Sequence, residues 1–150
     1  RVDIAANSEK QLQLHLNAAA ALPLQSLVIY KKNAGHLVVI SSMSAVRGMP
    51  KHLTAYGASK AGVAHLAEGI RAELLNTPIK VTTIFPGYIR TEINEGAKPL
   101  PFEVDEKTGS RLLAAEIEKA PVKAYVPKWP WLPLGLAMKI LPLKLVNKLG

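Results

Sequence analysis

The stretch HLVVISSMSAVRGMPKHLTAYGASKAGVAHLAEGIRAELL, residues 36–75, decides the fold of this chain. It begins with a short apolar run, residues 36–40, of the kind that forms a parallel strand buried on both faces. A polar loop with Gly48 and Pro50 follows. Helix-forming residues from Tyr56 to Leu75 then predict a helix. The stretch therefore predicts a strand whose carboxyl end leads through a loop into a helix.

The predicted helix has an apolar stripe at helical spacing. The stripe consists of Val63, Leu66, Ala67, Ile70 and Leu74. Because residues three and four apart share a helix face, this stripe should face the core. Glu68, Arg71 and Glu73 lie between the apolar positions, and we expect them to face water.

Helices and strands continue to alternate on both sides of this stretch. Residues 12–29 predict a helix that Pro23 interrupts or kinks. The elements predicted downstream are a strand over 79–85, a helix from Asp105 to about Ala120 and a short strand at 124–126. Such alternation predicts an α/β fold with a parallel sheet.

The net charge of +8 is concentrated near the C-terminus. Glu118 is the last acidic residue, and six lysines follow it: Lys119, Lys123, Lys128, Lys139, Lys144 and Lys148. Lysines among apolar residues indicate an anionic membrane surface more than a nucleic-acid groove. Nucleic-acid binding would call for arginine clusters and exposed aromatic residues across the domain. We therefore predict no nucleic-acid partner.

The sequence contains no cysteine, which excludes disulfides and thiolate metal sites. We predict no metal site. The absence of cysteine fits a reducing compartment, and the first ten residues lack the pattern of a signal peptide. The predicted location is the cytoplasm, with membrane association as an additional expectation.

Tyr56 and Lys60 are four residues apart and therefore share one face at the head of the predicted helix. Taken alone, such a pair more often only begins a helix and leaves the lysine solvated. Ser41 and Ser42 change this interpretation because they end the predicted strand. Ligands of open α/β sheets bind beyond the carboxyl ends of the strands. A nearby ammonium group favours a phenolate, so Tyr56 is a candidate acid/base.

This combination resembles the short-chain dehydrogenase/reductase family. The resemblance rests on a serine at a strand end, Tyr-x-x-x-Lys, a further strand, and Pro-Gly with a threonine soon after. It is close over residues 37–92 and looser back to Leu12 and forward to about Val126. It implies a Rossmann-like doubly wound parallel sheet with helices on both faces. That domain would cover residues 1–126 with its N-terminal part incomplete, and residues 127–150 would form a basic apolar C-terminal segment.

The resemblance also implies an NAD(P)-dependent oxidoreductase that transfers hydride between nicotinamide and a carbonyl or secondary alcohol. Tyr56 would be the general acid/base. Lys60 would favour its phenolate form and hold the nicotinamide ribose hydroxyls. Ser42 would hydrogen-bond the substrate oxygen. Ser44 and Ser41 are the alternatives, because Ser42 lies one residue farther from Tyr56 than is commonest in the family.

Further roles follow from the same resemblance. Asn17 would anchor a water molecule of a proton relay, or else be an ordinary surface residue of its helix. Pro86 and Gly87 would turn the chain sharply off the strand into a cofactor loop; the alternative is an ordinary turn. Ile89 would face the nicotinamide carboxamide through its backbone, and Thr91 would bond the carboxamide or the pyrophosphate.

The family implies partners as well. The helix with Tyr56 and Lys60 commonly packs against a second copy, so we expect a homo-oligomer. The substrate would be a small-molecule carbonyl or alcohol. The apolar C-terminal segment favours a hydrophobic one.

One expected feature is missing from the sequence, namely the Gly-rich turn that holds the pyrophosphate of a dinucleotide. Residues 33–35, NAG, directly precede the strand at 36–40, so we interpret them as a helix-ending loop. We expect that the sequence omits segments of a longer protein; a true truncation is the alternative. The choice between NAD and NADP stays open. A truncated fold would favour a non-catalytic or membrane-associated protein.

The C-terminal segment has an unusual composition. Residues 129–138 are ten uncharged residues, too few to span a bilayer. Pro130, Pro133 and Pro142 are expected to prevent one long helix. Two tryptophans lie among lysines, so the segment could lie in a membrane interface. It could equally cover an apolar substrate, or pack on the body or on a second subunit.

Overall fold

A computed structural model describes residues 35–50, 53–92, 96 and 98–146 of the protein. The described part is built on a parallel sheet of three strands in the order β1-β2-β3. The strands are β1, His36–Ile40; β2, Lys80–Pro86; and β3, Lys123–Val126. All three coincide closely with the predicted strands. The helix predicted over residues 12–29, and Asn17 within it, lie outside the described residues.

Helices connect and cover these strands. They are α1, Leu53–Glu73; α2, Glu106–Lys119; α3, Lys128–Ile140; and α4, Leu143–Val146. A 3-10 turn, Met43–Ala45, precedes α1. The predicted boundaries of α2 are confirmed. Asp105 caps this helix by accepting a hydrogen bond from the Thr108 backbone N–H at 2.9 Å, and Ala120 ends it in the left-handed conformation.

The sheet is covered on both faces. Leu37 lies opposite Val81, and Val38 opposite Thr82. Because alternate residues of a strand point to opposite faces, these two pairs lie on different sides of the sheet. On one side Ala67 and Ile70 of α1, and Leu74 just after it, form a cluster with Leu37, Val39 and Val81. On the other side α2 packs Leu112, Leu113 and Ile117 against Val38, Ile84 and Val126. The predicted doubly wound α/β architecture is confirmed.

The prediction that Arg71 faces water is wrong. Its Nε donates to the carbonyl of Val81 at 3.0 Å, and its Nη2 donates to Thr83 Oγ1 at 2.9 Å and to the carbonyl of Val122 at 3.1 Å. The long side chain of Arg71 therefore reaches the sheet. Arg71 therefore joins α1, β2 and the segment leading into β3.

The prediction that β1 is buried on both faces is also wrong. Four of its five residues are only half-buried, and Ile40 is 43% exposed. Strand β2 lies between two partners and is buried from Val81 to Phe85. Among the described residues, β1 has a hydrogen-bonded neighbour on one edge only, which explains the difference.

The C-terminal segment packs on the body of the protein. Trp131, Met138 and Val146 are buried in one cluster with Met43, Met49 and Phe85. The expectation that prolines break this segment holds at Pro142, which separates α3 from α4. It fails at Pro130 and Pro133. Trp129 has non-helical angles, so the regular helix begins at Pro130 and both prolines fall near its start, where a missing N–H disturbs least.

Candidate active site

The three strands end at one edge of the sheet because they are parallel. The ladder runs slightly past each strand end: the Ser41 N–H donates to the carbonyl of Ile84 at 2.8 Å, and the Gly87 N–H to the carbonyl of Val126 at 2.8 Å. The residues predicted to bind ligand follow directly on these bonds. This carboxyl edge is the usual ligand-binding edge of open α/β sheets.

Two side chains fasten the end of β1 to α1. The buried hydroxyl of Ser41 donates to the Lys60 carbonyl at 2.8 Å. In return, Lys60 Nζ donates to the Ile40 carbonyl at 3.2 Å. The hydroxyl of Ser41 is therefore engaged in positioning the helix. This leaves Ser42, rather than the alternative Ser41, as the better candidate for a substrate contact.

Ser42 begins the 3-10 turn that lies under the start of α1. Its Oγ accepts a hydrogen bond from the Ser44 N–H at 3.2 Å, and its O–H remains able to donate. A Cβ placed on Gly57 would lie 2.8 Å from the Ser44 carbonyl oxygen. The helix thus rests on the turn with no room for a side chain at the position after Tyr56. We did not predict this contact, although a glycine inside a helix is a signal for close approach.

Tyr56 and Lys60 are neighbours at this edge. Lys60 Nζ lies 5.8 Å from the centroid of the Tyr56 ring. The Tyr56 side chain is 37% exposed, so a ligand can reach it. Partial burial lowers the pKa of Lys60 because desolvation disfavours its charged form. Ser42, Tyr56 and Lys60 are thus brought to the same edge of the sheet.

Pro86 and Gly87 end β2 beside α3. A Cβ on Gly87 would overlap the indole ring of Trp131. That ring also meets Tyr88 edge-on, with centroids 5.2 Å apart. The buried Trp131 Nε1 has no hydrogen-bond partner among the described residues. Sequence reasoning missed the packing of Trp131 on Gly87, because nothing in the C-terminal segment indicated which part of the body it contacts.

Ile89 and Thr91 lie on the segment that leaves β2. Ile89 forms an isolated bridge with Val104, and its side chain packs so tightly against Gly109 of α2 that a Cβ there would lie 2.6 Å from Ile89 Cγ2. The Arg90 guanidinium forms an ion pair with the Glu103 carboxylate at 2.7 Å. This pair joins the segment that leaves β2 to the segment that precedes α2. Thr91 follows as a half-buried residue. Their roles toward a cofactor stay predictions, as does that of Asn17.

Comparison with known proteins identifies the family. The family model described as short chain dehydrogenase matches residues 7–99. An uncharacterized oxidoreductase of Mycobacterium tuberculosis (strain ATCC 25618 / H37Rv) is 45% identical over 118 residues, which cover 79% of this chain and 47% of that protein. One from Myxococcus xanthus (strain DK1622) is 32% identical over 126 residues, which cover 83% and 49%. This chain belongs to the short-chain dehydrogenase family, and it spans about half the length of these relatives.

Solved structures agree on the fold. A short chain dehydrogenase from Burkholderia cenocepacia J2315 in complex with NADP superposes with a TM-score of 0.74 at 22% identity, over 95% of this chain and 60% of that one. One from Sphingobium yanoikuyae in complex with NADPH gives a TM-score of 0.72 at 23% identity, over 92% and 58%. At these identities the likeness establishes the Rossmann-like fold and nothing finer.

Proposed function

We propose that this chain carries the proton-transfer half of an NAD(P)-dependent oxidoreductase active site. The reaction would move hydride between nicotinamide and a carbonyl or secondary alcohol. The observation that supports this is the meeting of Tyr56 and Lys60 beside the Ser42 turn at the carboxyl edge of the sheet. Membership of the short-chain dehydrogenase family supports the same proposal.

Each of the three side chains has a chemical task in this proposal. During reduction the Tyr56 hydroxyl donates its proton to the carbonyl oxygen, and during oxidation the phenolate accepts the alcohol proton. The Ser42 O–H donates a hydrogen bond to the same oxygen and so stabilises the charge that develops there. The Lys60 ammonium stabilises the phenolate electrostatically. The nicotinamide, when bound, supplies or accepts the hydride.

Lys60 fits the nicotinamide ribose of such a cofactor. Its ammonium group has three donors, and the structure shows one hydrogen bond, to the Ile40 carbonyl. A partly desolvated ammonium with spare donors suits the two hydroxyls of a ribose. In the same proposal, Pro86 and Gly87 turn the cofactor loop, Ile89 faces the carboxamide and Thr91 bonds it or the pyrophosphate. Asn17 completes a proton relay.

The proposal also includes a cofactor, a substrate class and an oligomeric state. The cofactor is NAD or NADP; NADP and NADPH are bound in the two structures compared above. The substrate is a small-molecule carbonyl or alcohol, and the exposed apolar residues of the C-terminal segment favour a hydrophobic one. A homo-oligomer in the cytoplasm and peripheral membrane contact through residues 127–150 stay predictions.

Substitution of Tyr56 tests the proposal. In the intact protein, Tyr56→Phe should lower kcat for NAD(P)H-dependent ketone reduction by about 10²–10⁴-fold, because the proton donor is lost. Binding of NAD(P)H, followed by its fluorescence, should persist, because Lys60 is unchanged. Lys60→Met should lower kcat and should also weaken the binding of NAD(P)H.

Tyr125→Phe is the matched control. Tyr125 is partly buried and stacks on Phe85 of the core with centroids 5.4 Å apart, so loss of its hydroxyl should leave turnover unchanged. Full activity of Tyr56→Phe would refute the catalytic assignment. A wild-type protein that neither binds NAD(P)H nor turns over would favour the alternative, a non-catalytic protein on this fold.

A further inference from the structure

Apart from Lys128 and Lys139, helix α3 consists of apolar residues, but the described residues cover only one of its sides. Trp131, Gly135 and Met138 are buried at spacings of four and three residues, which places them on one face. Leu136 and Ile140, one turn apart, lie on the opposite face and are exposed. A surface helix normally carries polar residues there, and a helix apolar on every side is normally buried.

The exposed apolar residues run from the first turn of α3 into α4. In α3, Trp129 is 77% and Ile140 84% exposed, and Leu136 is exposed as well; in α4, Leu143 and Leu145 are exposed. Single exposed apolar residues are ordinary, whereas a row of them within one short segment marks an interaction surface. We call Trp129, Leu136, Ile140 and Leu143, together with Lys128, Lys139 and Lys144, the tail surface.

The lysines of the tail surface distinguish it from a protein-binding face. Lys119 and Lys123 are paired with Glu116 and Glu68 at 2.6 and 3.1 Å. Within the described part of the chain, Lys128, Lys139 and Lys144 form no ion pair. No acidic residue follows Glu118 in the sequence. The tail surface is therefore both apolar and positively charged without compensation.

Two residues of the tail surface also border a cavity. Leu143 and Lys144 line it together with Gly48, Met49 and Pro50, and its volume is about 470 Å³. Gly48, Met49 and Pro50 belong to the loop between the Ser42 turn and α1. The cavity wall is almost entirely apolar, so it extends the apolar area beside the exposed lysines.

We propose that the tail surface binds anionic lipid bilayers and lies in their interface. Tryptophan and aliphatic side chains enter the boundary between headgroups and acyl chains, and lysines attract anionic headgroups from the rim. Charge complementarity selects this occupant over a second copy of the chain, whose tail surface would carry the same positive charge. The proposal concerns peripheral contact: within the described residues, no helix has both the length and the apolar character needed to cross a membrane.

Co-sedimentation of the intact protein with vesicles tests the proposal. We expect strong binding to vesicles of equal parts phosphatidylcholine and phosphatidylglycerol, and at least about tenfold weaker binding to pure phosphatidylcholine. Raising the salt concentration from about 0.05 to about 0.5 M should weaken binding to anionic vesicles, because salt screens the exposed lysines and the Debye length is already only about 10 Å at 0.1 M.

Two double variants separate the contributions. Leu136→Gln/Ile140→Gln should weaken anionic-vesicle binding by about tenfold or more, because two exposed apolar side chains no longer enter the interface. Lys128→Gln/Lys139→Gln should weaken binding to anionic vesicles by a similar factor and should lessen the salt dependence of that binding. Leu75→Gln is the control: Leu75 is 74% exposed but follows α1 at the opposite, amino edge of the sheet. Circular dichroism would establish that each variant is folded.

Three results would overturn the proposal. The first is equal binding to neutral and anionic vesicles, and the second is a loss in Leu75→Gln as large as in the tail variants. The third is a wild-type dimer that Leu136→Gln/Ile140→Gln converts to monomer in light scattering while vesicle binding is unchanged. That result would assign the tail surface to a second copy.

Discussion

At the scale of single residues, Lys60 makes two contacts at the sheet edge. Its ammonium group lies near the Tyr56 ring, and its Nζ donates a hydrogen bond to the Ile40 carbonyl. The partial burial of Lys60 lowers its pKa below the ordinary value, because desolvation disfavours the charged form. This partial burial weakens the folded state while Lys60 remains charged.

The pH dependence of stability should report this burial. Between the lowered pKa and the ordinary value of 10.5, the unfolded chain binds more protons than the folded one. Stability due to this group therefore rises with pH across that window. We expect the free energy of unfolding of the wild type, measured relative to Lys60→Met by urea denaturation, to increase as the pH is raised toward 10.5.

The exposed Lys98 supplies the control for that measurement. The free-energy difference between the wild type and Lys98→Met, measured over the same pH range, provides the reference curve for an exposed lysine. A flat curve for Lys60→Met would mean that Lys60 is fully hydrated in the folded protein.

Gly57 and Gly69 are a matched pair within α1. Alanine normally stabilises a helix relative to glycine by about 0.5–1 kcal/mol. Gly69 has nothing within 4 Å of an added Cβ, so Gly69→Ala should show that gain. At Gly57 the added Cβ would meet a backbone oxygen of Ser44, so Gly57→Ala should instead destabilise the protein by about 1–3 kcal/mol. Urea denaturation of both variants checks this, and a gain at both positions would contradict the close packing of α1 on the Ser42 turn.

At the scale of elements, Arg71 joins three parts of the chain. Because its guanidinium serves two backbone carbonyls and the Thr83 hydroxyl, Arg71→Met should lower the free energy of unfolding by about 2–4 kcal/mol. Arg111→Met, at an exposed position of α2, should change it by less than about 0.5 kcal/mol. Equal effects of the two substitutions in chemical denaturation would show that the bonds of Arg71 contribute little.

The elements themselves were largely predictable. Apolar β-branched runs identified β1 and β2, and Asp105 marked the start of α2, because these signals are local. The orientation of Arg71 was not predictable from helical periodicity: an intermediate position on a helix can face water or reach the sheet, and only the neighbouring strands decide. The effect of Pro130 and Pro133 was not predictable from the sequence either. Whether a proline breaks a helix depends on its distance from the helix start, and the bend at Trp129 sets that start.

At the scale of the whole molecule, the C-terminal segment is coupled to the end of β2. Gly87→Ala should destabilise the protein by about 1–3 kcal/mol, because its methyl group would overlap the Trp131 ring. In a Trp131→Leu background the ring is gone and the added cost of Gly87→Ala should fall by about 1 kcal/mol or more. A double-mutant cycle in urea measures this coupling, and additive effects would contradict the packing of Trp131 on Gly87.

The candidate site was predictable to the extent that it rests on local motifs. Spacing correctly placed Tyr56 beside Lys60, and the strand end placed Ser41 and Ser42 at the sheet edge. The use of the Ser41 hydroxyl to hold α1 and the packing of Trp131 on Gly87 were not predictable. Both depend on contacts between segments distant in sequence, for which a single sequence holds no signal.

The half-buried β1 has a consequence for handling the protein. Among the described residues, one edge of this strand has no hydrogen-bonded neighbour, and the strand carries the apolar residues Leu37, Val38 and Val39. Unprotected margins of this kind recruit strands from other molecules and seed precipitation. The free edge of β1 should therefore promote association between copies of the protein, and light scattering at increasing protein concentration would measure it.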